Sequence, residues 1–208
     1  MILPLPILHL PYKLILASNS PRRRELLSGL GLDFQVRVLP GIDESYPPTL
    51  AAHHTAEYIA RKKAEAYRPT MSHDELVITA DTVVIVDDEV LGKPADAAQA
   101  ALMLQKLSGR SHQVVTGVCL TTKRAMTHFA VCTDVTFKEL TTAEIDYYIK
   151  KYQPYDKAGA YGIQEWIGYI GCTGLNGSYY NVMGLPVQRI YSELQQFTRQ
   201  HSLPDCRQ

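Results

Sequence analysis

The chain has 208 residues, of which 46% are hydrophobic and 20% charged, so it has the composition of a globular protein and can bury a core without disulfides or a structural metal. It carries 21 basic and 21 acidic residues, and this balance argues against the broad basic surface of a nucleic-acid-binding protein. A small anionic ligand is still compatible, because a pocket needs only a local cluster of cations.

The cysteines and the N-terminus bear on the compartment. No two cysteines have CxxC spacing, which argues against a zinc site and predicts reduced, mostly buried thiols. Residues 1–12 lack the early positive charge of a signal peptide, and no stretch reaches the roughly 18–20 apolar residues that span a bilayer. We therefore expect a cytoplasmic protein without a membrane partner. The cysteines are Cys119, Cys132, Cys172 and Cys206.

The first predicted elements are a strand, a turn and a helix. The apolar run at residues 14–17 reads as a strand that ends in a Ser-Asn-Ser-Pro turn. Ser20 is expected to cap the helix that follows and Pro21 to be its first residue. This helix is predicted to stop at Gly31, with a second strand over residues 34–39 and a polar loop after it.

The middle of the chain alternates between helical and strand patterns. Apolar residues recur at helical spacing over residues 55–67. Residues 77–86 read as a strand that Asp81 interrupts, followed by a turn at residues 87–88 and a short return strand. Asp96 is expected to cap a further helix that ends near residue 108.

The second half is predicted to hold a pair of long strands and further helices. Residues 113–121 and 129–137 form the strand pair, and a capping box at Thr141 opens a helix. The remaining predicted elements are strands around Tyr169 and Tyr179 and a last helix from Pro186. This alternation predicts an α/β protein with a mixed sheet.

The first candidate site is the basic start of the first helix, with Ser18, Arg22 and Arg23. A helix N-terminus offers free N–H groups and the positive end of the macrodipole, and therefore favours anions. Arginines there oppose the dipole, and a bound polyphosphate would remove that electrostatic penalty. A solvated basic turn is the alternative, and these residues alone do not decide between the two.

Three isolated charges are further candidates. Lys63 falls on the apolar stripe of its helix, where it either extends to water or points at an anionic group. Asp81 lies in an apolar run, where a carboxylate must be paired, metal-bound or catalytic because desolvation is costly. Lys93 stands on a Gly-Lys-Pro turn, for which an ordinary surface lysine is the alternative.

Two loops complete the candidate set. In the small-residue loop at 156–164, Tyr161 could stack on a base and Gln164 could hydrogen-bond a base edge, although a tight loop with an ion pair is equally compatible. The acidic pair Asp43-Glu44 could hold a hard divalent ion or be solvated. Together, the candidates suit a nucleotide with metal-bridged phosphates.

These segments together resemble the Maf family of nucleotide pyrophosphatases over residues 14–191. Several ordered matches make the resemblance specific, where any one of them would be weak. The matching segments are LASNSPRRRELL at 16–27, KA at 63–64, ADTVV at 80–84, LGKP at 91–94, LSGR at 107–110, DKAGAYGIQ at 156–164 and NVMGLP at 181–186.

The resemblance implies an elongated, mixed sheet flanked by helices with a central cleft, like the fold of inosine triphosphate pyrophosphatase. It implies a single Maf-like domain over residues 1–208 with two lobes around the cleft, in which residues 1–12 and 201–208 are peripheral. The implied reaction is hydrolysis of a nucleoside triphosphate to the monophosphate and pyrophosphate with a divalent cation, Mg²⁺ or Mn²⁺. A homodimer is also implied.

The resemblance further implies roles for single residues. Asp81 would be the general base, and Glu44 with Asp81 would lie at the metal. The positions matching substrate and phosphate contacts are Ser18, Arg22, Arg23, Lys63 and Lys93. Arg24 has no family counterpart of fixed type and is expected to be solvated.

Arg22, Thr82 and Gln164 match the family branch that acts on dTTP and UTP, with modified pyrimidine nucleotides as further candidates. The branch acting on 7-methyl-GTP typically has Glu where Gln164 stands. Two positions depart from the family pattern: Gln153, where an acidic residue is frequent, and Glu165-Trp166, which replaces a Gly-rich turn.

Two other functions stay open from the sequence. A nucleotide-binding regulator that acts through a partner is one, because the family name is tied to inhibition of septum formation. A hydrolase preferring inosine triphosphate on the same fold is the other. The complete set of charged residues favours an enzyme over the regulator.

Overall fold

The structure is a computed structural model that describes residue 8 and residues 10–201. Helices and strands are interspersed along the described chain, with two short 3₁₀ turns at Arg68–Thr70 and Ala158–Ala160. The strands are β1 (Lys13–Leu16), β2 (Phe34–Val36), β3 (Glu75–Val86), β4 (Glu89–Leu91), β5 (Ser111–Thr121), β6 (Met126–Phe137) and β7 (Cys172–Asn176). The helices are α1 (Pro21–Ser28), α2 (Ala52–Tyr67), α3 (Ala97–Leu107), α4 (Thr142–Tyr152), α5 (Trp166–Gly171), α6 (Tyr179–Met183) and α7 (Val187–Gln200).

The seven strands found among the described residues join one mixed sheet. The main path is β2-β1-β3-β5-β6-β7, and β4 pairs with β3 off this path. β1 lies parallel to β2 and β3, whereas the pairs from β3 onwards are antiparallel. The predicted class, a mixed α/β sheet flanked by helices, is confirmed.

One edge of β3 is left open in its middle. β1 pairs with the start of the strand as far as Ile78, and β4 pairs with its end from Val84 onwards. On that edge, residues 79–83 have no strand partner within the described chain. Both β1 and β4 end beside this gap. The turns that follow the two strands therefore converge on the middle of β3.

Helix α2 covers one face of the sheet very closely. Gly117 of β5 permits this approach, because a Cβ atom there would lie within 2.4 Å of the Ala56 backbone. Gly117 is the ladder partner of Asp81, so α2 passes directly over the middle of β3. Three alanines of α2 are fully buried at this contact: Ala56, Ala60 and Ala64.

The opposite face of the sheet carries two apolar clusters. One packs α1 and α7 against the first half of β3, and the other packs α3, α4 and α5 against its last residues. Between the clusters lie polar residues of β3 and β5, among them Thr82 and Thr116. The open edge of β3 and this polar strip occupy the same part of the sheet.

Local capping signals in the sequence are confirmed. The Ser20 side chain accepts a hydrogen bond from the backbone N–H of Arg23, and Pro21 begins α1. Asp96 caps α3 in the same way. Thr141 and Glu144 form both bonds of the capping box at α4.

The strands predicted around Tyr169 and Tyr179 are wrong. Tyr169 lies in α5 and Tyr179 in α6, with β7 between these two helices. Aromatic residues favour strands only weakly, and local contacts override that preference here. Ser178 caps α6 by accepting from the N–H of Asn181, while the buried Ile167 ties α5 into the core.

Smaller differences concern element lengths and thiols. β3 runs through Asp81 without interruption, α1 ends at Ser28 before the predicted Gly31, and β2 covers only three residues. Cys119 is buried, whereas Cys132 is exposed and Cys172 is partly exposed. Cys206 and most of the predicted peripheral segments lie outside the described residues. No helix in the described part of the chain is long and apolar enough to cross a membrane.

Candidate active site

A cleft opens where the turn after β1 meets α2 and the turn after β4. Its larger part is a cavity of about 460 Å³ lined by residues 17–21, by the loop before α2 and by Lys63. A smaller cavity of about 110 Å³ continues across β3 to α6. Both parts share four lining residues: Arg23, Lys63, Lys93 and Asp156.

Lys63 lies between two carboxylates. Its Nζ is 2.8 Å from Asp81 Oδ1 and 3.0 Å from Glu44 Oε1. The side chains of Lys63 and Asp81 are only 13% and 15% exposed, whereas that of Glu44 is 53% exposed. Of the alternatives left open by the sequence, Lys63 therefore points at anionic groups, and the half-buried Asp81 is paired.

The loop carrying Glu44 is held to α2 by its acidic neighbour. Asp43 accepts a hydrogen bond from Lys62 Nζ at 2.6 Å and two more from the backbone and side chain of Ser45. These bonds, the one from Lys62 foremost, hold the pKa of Asp43 well below its usual range. The acidic pair thus divides its roles, since Asp43 fastens the loop and Glu44 lines the cleft.

The two carboxylates that bond Lys63 are candidate metal ligands. Within residues 10–201, no three His, Cys, Asp or Glu side chains are grouped as a metal centre. Mg²⁺ in nucleotide enzymes is commonly held by one or two carboxylates together with substrate phosphates. Glu44 and Asp81 fit such a shared site, in which the space between them is taken by the Lys63 ammonium.

Arg23 fills the open edge of β3. Its guanidinium donates to the backbone carbonyls of Ala80 and Gly184, at 2.8 and 2.9 Å, and to the Thr82 hydroxyl at 3.1 Å. Burial lowers the pKa of Arg23, and the charge of Asp81 opposes that effect. Three of its five N–H groups are used in this way, and the side chain borders both cavities.

Ser18 and Lys93 flank the cleft from the two converging turns. Ser18 is 8% exposed, and its Oγ accepts from the N–H of Ser20, which leaves its own proton to donate. Lys93 is exposed and borders both cavities. Among the described residues, its ammonium has neither a hydrogen bond nor an ion pair, so it can serve an added anion.

Arg22 pairs with the loop on the far side of the cleft. Its guanidinium is 2.9 Å from Asp156 Oδ2, and Lys157 contacts the other oxygen of Asp156 at 2.8 Å. Although partial burial alone would raise it, the hydrogen bonds from Lys157 and Arg22 lower the pKa of Asp156 to about 2. Arg22 does not line either described cavity, and Arg24 is exposed as expected.

The sequence is similar to known proteins over most of its length. The family model described as Maf-like protein matches residues 13–197. The chain belongs to the Maf family. A dTTP/UTP pyrophosphatase of Phocaeicola vulgatus is 63% identical over 183 residues, which are 88% of this chain and 95% of that protein. Proteins of the same name from Parabacteroides distasonis and Bacteroides thetaiotaomicron are each 60% identical, covering 89% and 88% of this chain and 96% and 95% of their own lengths.

Two residues quoted in the Maf match at 156–164 are placed differently from expectation. Tyr161 is 6% exposed, bonds His112 Nε2 at 2.7 Å and meets Phe137 edge-on. Its ring borders the smaller cavity but belongs to the core, so it is no open stacking surface for a base. Gln164 lines neither cavity, and its buried Oε1 has no hydrogen-bond partner among the described residues.

Both departures from the Maf pattern have a structural account. Gln153 is the left-handed C-cap of α4, with φ of 45°, and its side chain is exposed, so an acidic group is not needed there for folding. Glu165 contacts the buried Lys157 at 3.1 Å and accepts a hydrogen bond from Tyr148. Arg22, Asp156, Lys157 and Glu165 thus form a chain of ion pairs. The sequence does not predict this chain, because its members lie on three separate segments.

Thr116 of β5 is the clearest site residue without a sequence signal. It is fully buried, contacts Thr82 Oγ1 at 3.0 Å and donates to the backbone carbonyl of Asn181 at 3.1 Å. A threonine in a strand is unremarkable in this or any Maf sequence. Only the pairing of β3 with β5 brings it beside Thr82 and Arg23.

Proposed function

We propose that this chain is a nucleoside triphosphate pyrophosphatase that hydrolyses dTTP and UTP to the monophosphate and pyrophosphate. The observation that carries the proposal is the convergence of Arg23, Lys63 and Lys93 on Asp81 in one cleft. Preorganised cations beside a carboxylate suit attack on a polyphosphate. The relatives named dTTP/UTP pyrophosphatase, which match over nearly their whole length, support the substrate class.

In this proposal, Asp81 is the general base. Lys63 bonds its Oδ1, and its second oxygen has no hydrogen bond to another described residue. That oxygen takes the proton of the water that attacks the α–β linkage. Arg23 and Lys93 offset the negative charge that develops on the departing pyrophosphate, and Ser18 donates to a phosphate oxygen.

The proposed cofactor is Mg²⁺ or Mn²⁺, held by Glu44 and Asp81 in company with the substrate phosphates. When bound, such an ion polarises phosphate oxygens and neutralises their charge. In this structure the Lys63 ammonium bonds both carboxylates, so it would have to move partly aside for an ion to bind there. Its ammonium then lies beside the incoming phosphates, where its charge still counts towards binding.

The pyrimidine preference is proposed to involve Arg22, Thr82 and Gln164. Thr82 borders the smaller cavity and holds Arg23, while Arg22 is fixed by Asp156 at the opposite side of the cleft. The amide of Gln164 offers both a donor and an acceptor, which suits a pyrimidine edge, but in this structure Gln164 lines neither cavity, so a base contact requires the side chain to move. A homodimer and a cytoplasmic location stay predictions from the family resemblance.

The deciding experiment is pyrophosphate release from a nucleotide panel with Mg²⁺ and with Mn²⁺. We expect turnover of dTTP and UTP to exceed that of ITP and 7-methyl-GTP. Asp81→Asn should lower kcat by about 10²–10⁴-fold, the usual contribution of a general base, while the protein still folds. Asp87→Asn, on an exposed turn, is the matched control.

Each alternative has its own outcome in this panel. Preference for ITP would favour the inosine triphosphate hydrolase. Nucleotide binding without any pyrophosphate release would favour the regulator. An Asp81→Asn protein that retains the wild-type rate would remove Asp81 from the role of base.

A further inference from the structure

A chain of buried hydroxyls leads away from the guanidinium of Arg23. Arg23 Nη2 lies 3.1 Å from Thr82 Oγ1, which lies 3.0 Å from Thr116 Oγ1. Thr116 in turn lies 3.1 Å from the backbone carbonyl of Asn181. The chain crosses from α1 through β3 and β5 to α6, between the two apolar clusters.

The direction of every bond in this chain can be deduced. The Asn181 carbonyl can only accept, so the single proton of Thr116 is donated to it. Thr116 must then accept from Thr82, whose proton is thereby used. Thr82 has only lone pairs left, and these receive the N–H of Arg23. Thr82 therefore has no proton to offer a substrate.

The end of the hydroxyl chain at Asn181 is held in place by further hydrogen bonds. Asn181 is fully buried, and its Nδ2 donates to the carbonyl of Val114 and to Thr133 Oγ1, both at 3.0 Å. These bonds fasten α6 to β5 and β6. Gly184, at the C-cap of α6, supplies the carbonyl that accepts from Arg23 Nε at 2.9 Å.

We infer that Thr116 is a positioning residue for the proposed reaction, because it fixes the proton of Thr82 and so the orientation of the Arg23 guanidinium. Three N–H groups of the Arg23 guanidinium bond the protein, and two others remain. The direction in which these two point depends on how the planar guanidinium is held. This inference rests on the proposed function for its effect on turnover. Its effect on Arg23 itself does not depend on the substrate.

The test compares Thr116→Val, which removes the hydroxyl at nearly constant shape, with Thr116→Ser, which restores it. Thr116→Val leaves the Thr82 proton without its acceptor and removes one of the two hydrogen bonds that the Asn181 carbonyl accepts. We therefore expect kcat/KM for dTTP to fall roughly tenfold. Thr116→Ser should recover most of that loss. Thr121→Val is the matched control, since Thr121 is a fully buried threonine on the same strand whose hydroxyl contacts Cys119, away from Arg23.

A double-mutant cycle separates positioning from general damage. In an Arg23→Lys background, where the fork is absent, Thr116→Val should change kcat/KM less than about twofold. A purely structural role predicts the same tenfold loss in both backgrounds. That equal loss, or a rate for Thr116→Val equal to wild type, overturns the inference while leaving the proposed function in place.

A second measurement works without any nucleotide. The ¹⁵N–¹H signal of Arg23 Nε, assigned by its loss in Arg23→Lys, reports solvent exchange of the bond to Gly184. Exchange should be slow in the wild type and in Thr121→Val, and about tenfold faster in Thr116→Val. Unchanged exchange in Thr116→Val contradicts the inference even if the protein proves inactive on dTTP and UTP.

Discussion

Lys63 shows how a single side chain holds a site together before any ligand arrives. Its ammonium bonds Asp81 and Glu44 at once, so it offsets the repulsion between two carboxylates at the junction of the two cavities. A divalent cation that binds Asp81 and Glu44 must therefore compete with the Lys63 ammonium. Metal binding and nucleotide binding are thus expected to be coupled, since the phosphates give Lys63 another partner.

This competition predicts the effect of Lys63→Gln on metal affinity. Without nucleotide, the variant should bind Mn²⁺ several-fold more tightly than the wild type, because two carboxylates then lack their counter-ion. Calorimetry or the paramagnetic signal of free Mn²⁺ measures this. Lys13→Gln is the control, because Lys13 forms an exposed ion pair with Asp74, away from the carboxylate pair. Equal Mn²⁺ affinity in wild type and Lys63→Gln would contradict the predicted competition.

At the scale of single residues, the sequence indicated types of group but not their partners. Ser20 could be predicted as a cap because its signal lies within four residues of the helix start. The pairing of Lys63 with Asp81 could not, because it depends on how α2 lies over β3. Thr116 could not be predicted at all, since its role depends on strand register.

Among the elements, the contact of α2 with β5 decides where Lys63 lies. Gly117 has no side chain to hold the helix away, and the Ala56 backbone fills that space. The helix therefore comes near enough for Lys63 to contact Asp81. Through this contact, α2 covers Asp81 of β3 and still leaves the cleft beside Asp81 open.

Gly117→Ala should destabilise the protein by about 1–3 kcal/mol, because the added methyl group overpacks against the backbone of α2. The displaced helix should also weaken the Lys63 contact and lower turnover. Urea unfolding and dTTP hydrolysis measure the two effects. Gly92→Ala, which meets nothing within 4 Å, should leave stability unchanged. A Gly117→Ala protein as stable as wild type would refute the tight contact.

The elements also show where sequence patterns mislead. Periodicity located α2, and cap or start signals at Asp96, Thr141 and Pro186 located α3, α4 and α7; all four helices bury an apolar stripe over several turns. Periodicity failed for α5 and α6, which are six and five residues long and too short to display a period. In such segments, aromatic content suggested strands, while capping and core contacts decided for helices.

For the whole molecule, the buried His112 predicts acid sensitivity. Its imidazole is 3% exposed, and burial lowers its pKa to about 4 from an ordinary value of 6.5. Between these two pH values the unfolded chain binds a proton that the folded chain does not, so stability falls as the pH drops. The expected loss from pH 7 to pH 5 is about 2 kcal/mol.

Urea unfolding at pH 7 and pH 5 checks this loss. His112→Gln should remove most of the dependence, since Gln does not titrate in this range. His54→Gln, an exposed histidine on α2, should retain it. A wild-type protein of equal stability at both pH values would show that His112 is not held neutral by the fold.

The gap in the β3 edge has a consequence for solubility. An unpaired strand edge is a template for another strand and so a hazard for aggregation, which proteins often suppress with charged side chains. Here Arg23 caps the Ala80 carbonyl within the gap. Arg23, which is proposed to bind phosphate, therefore also covers part of an unpaired strand edge. We expect its loss to promote aggregation as well as to lower catalysis.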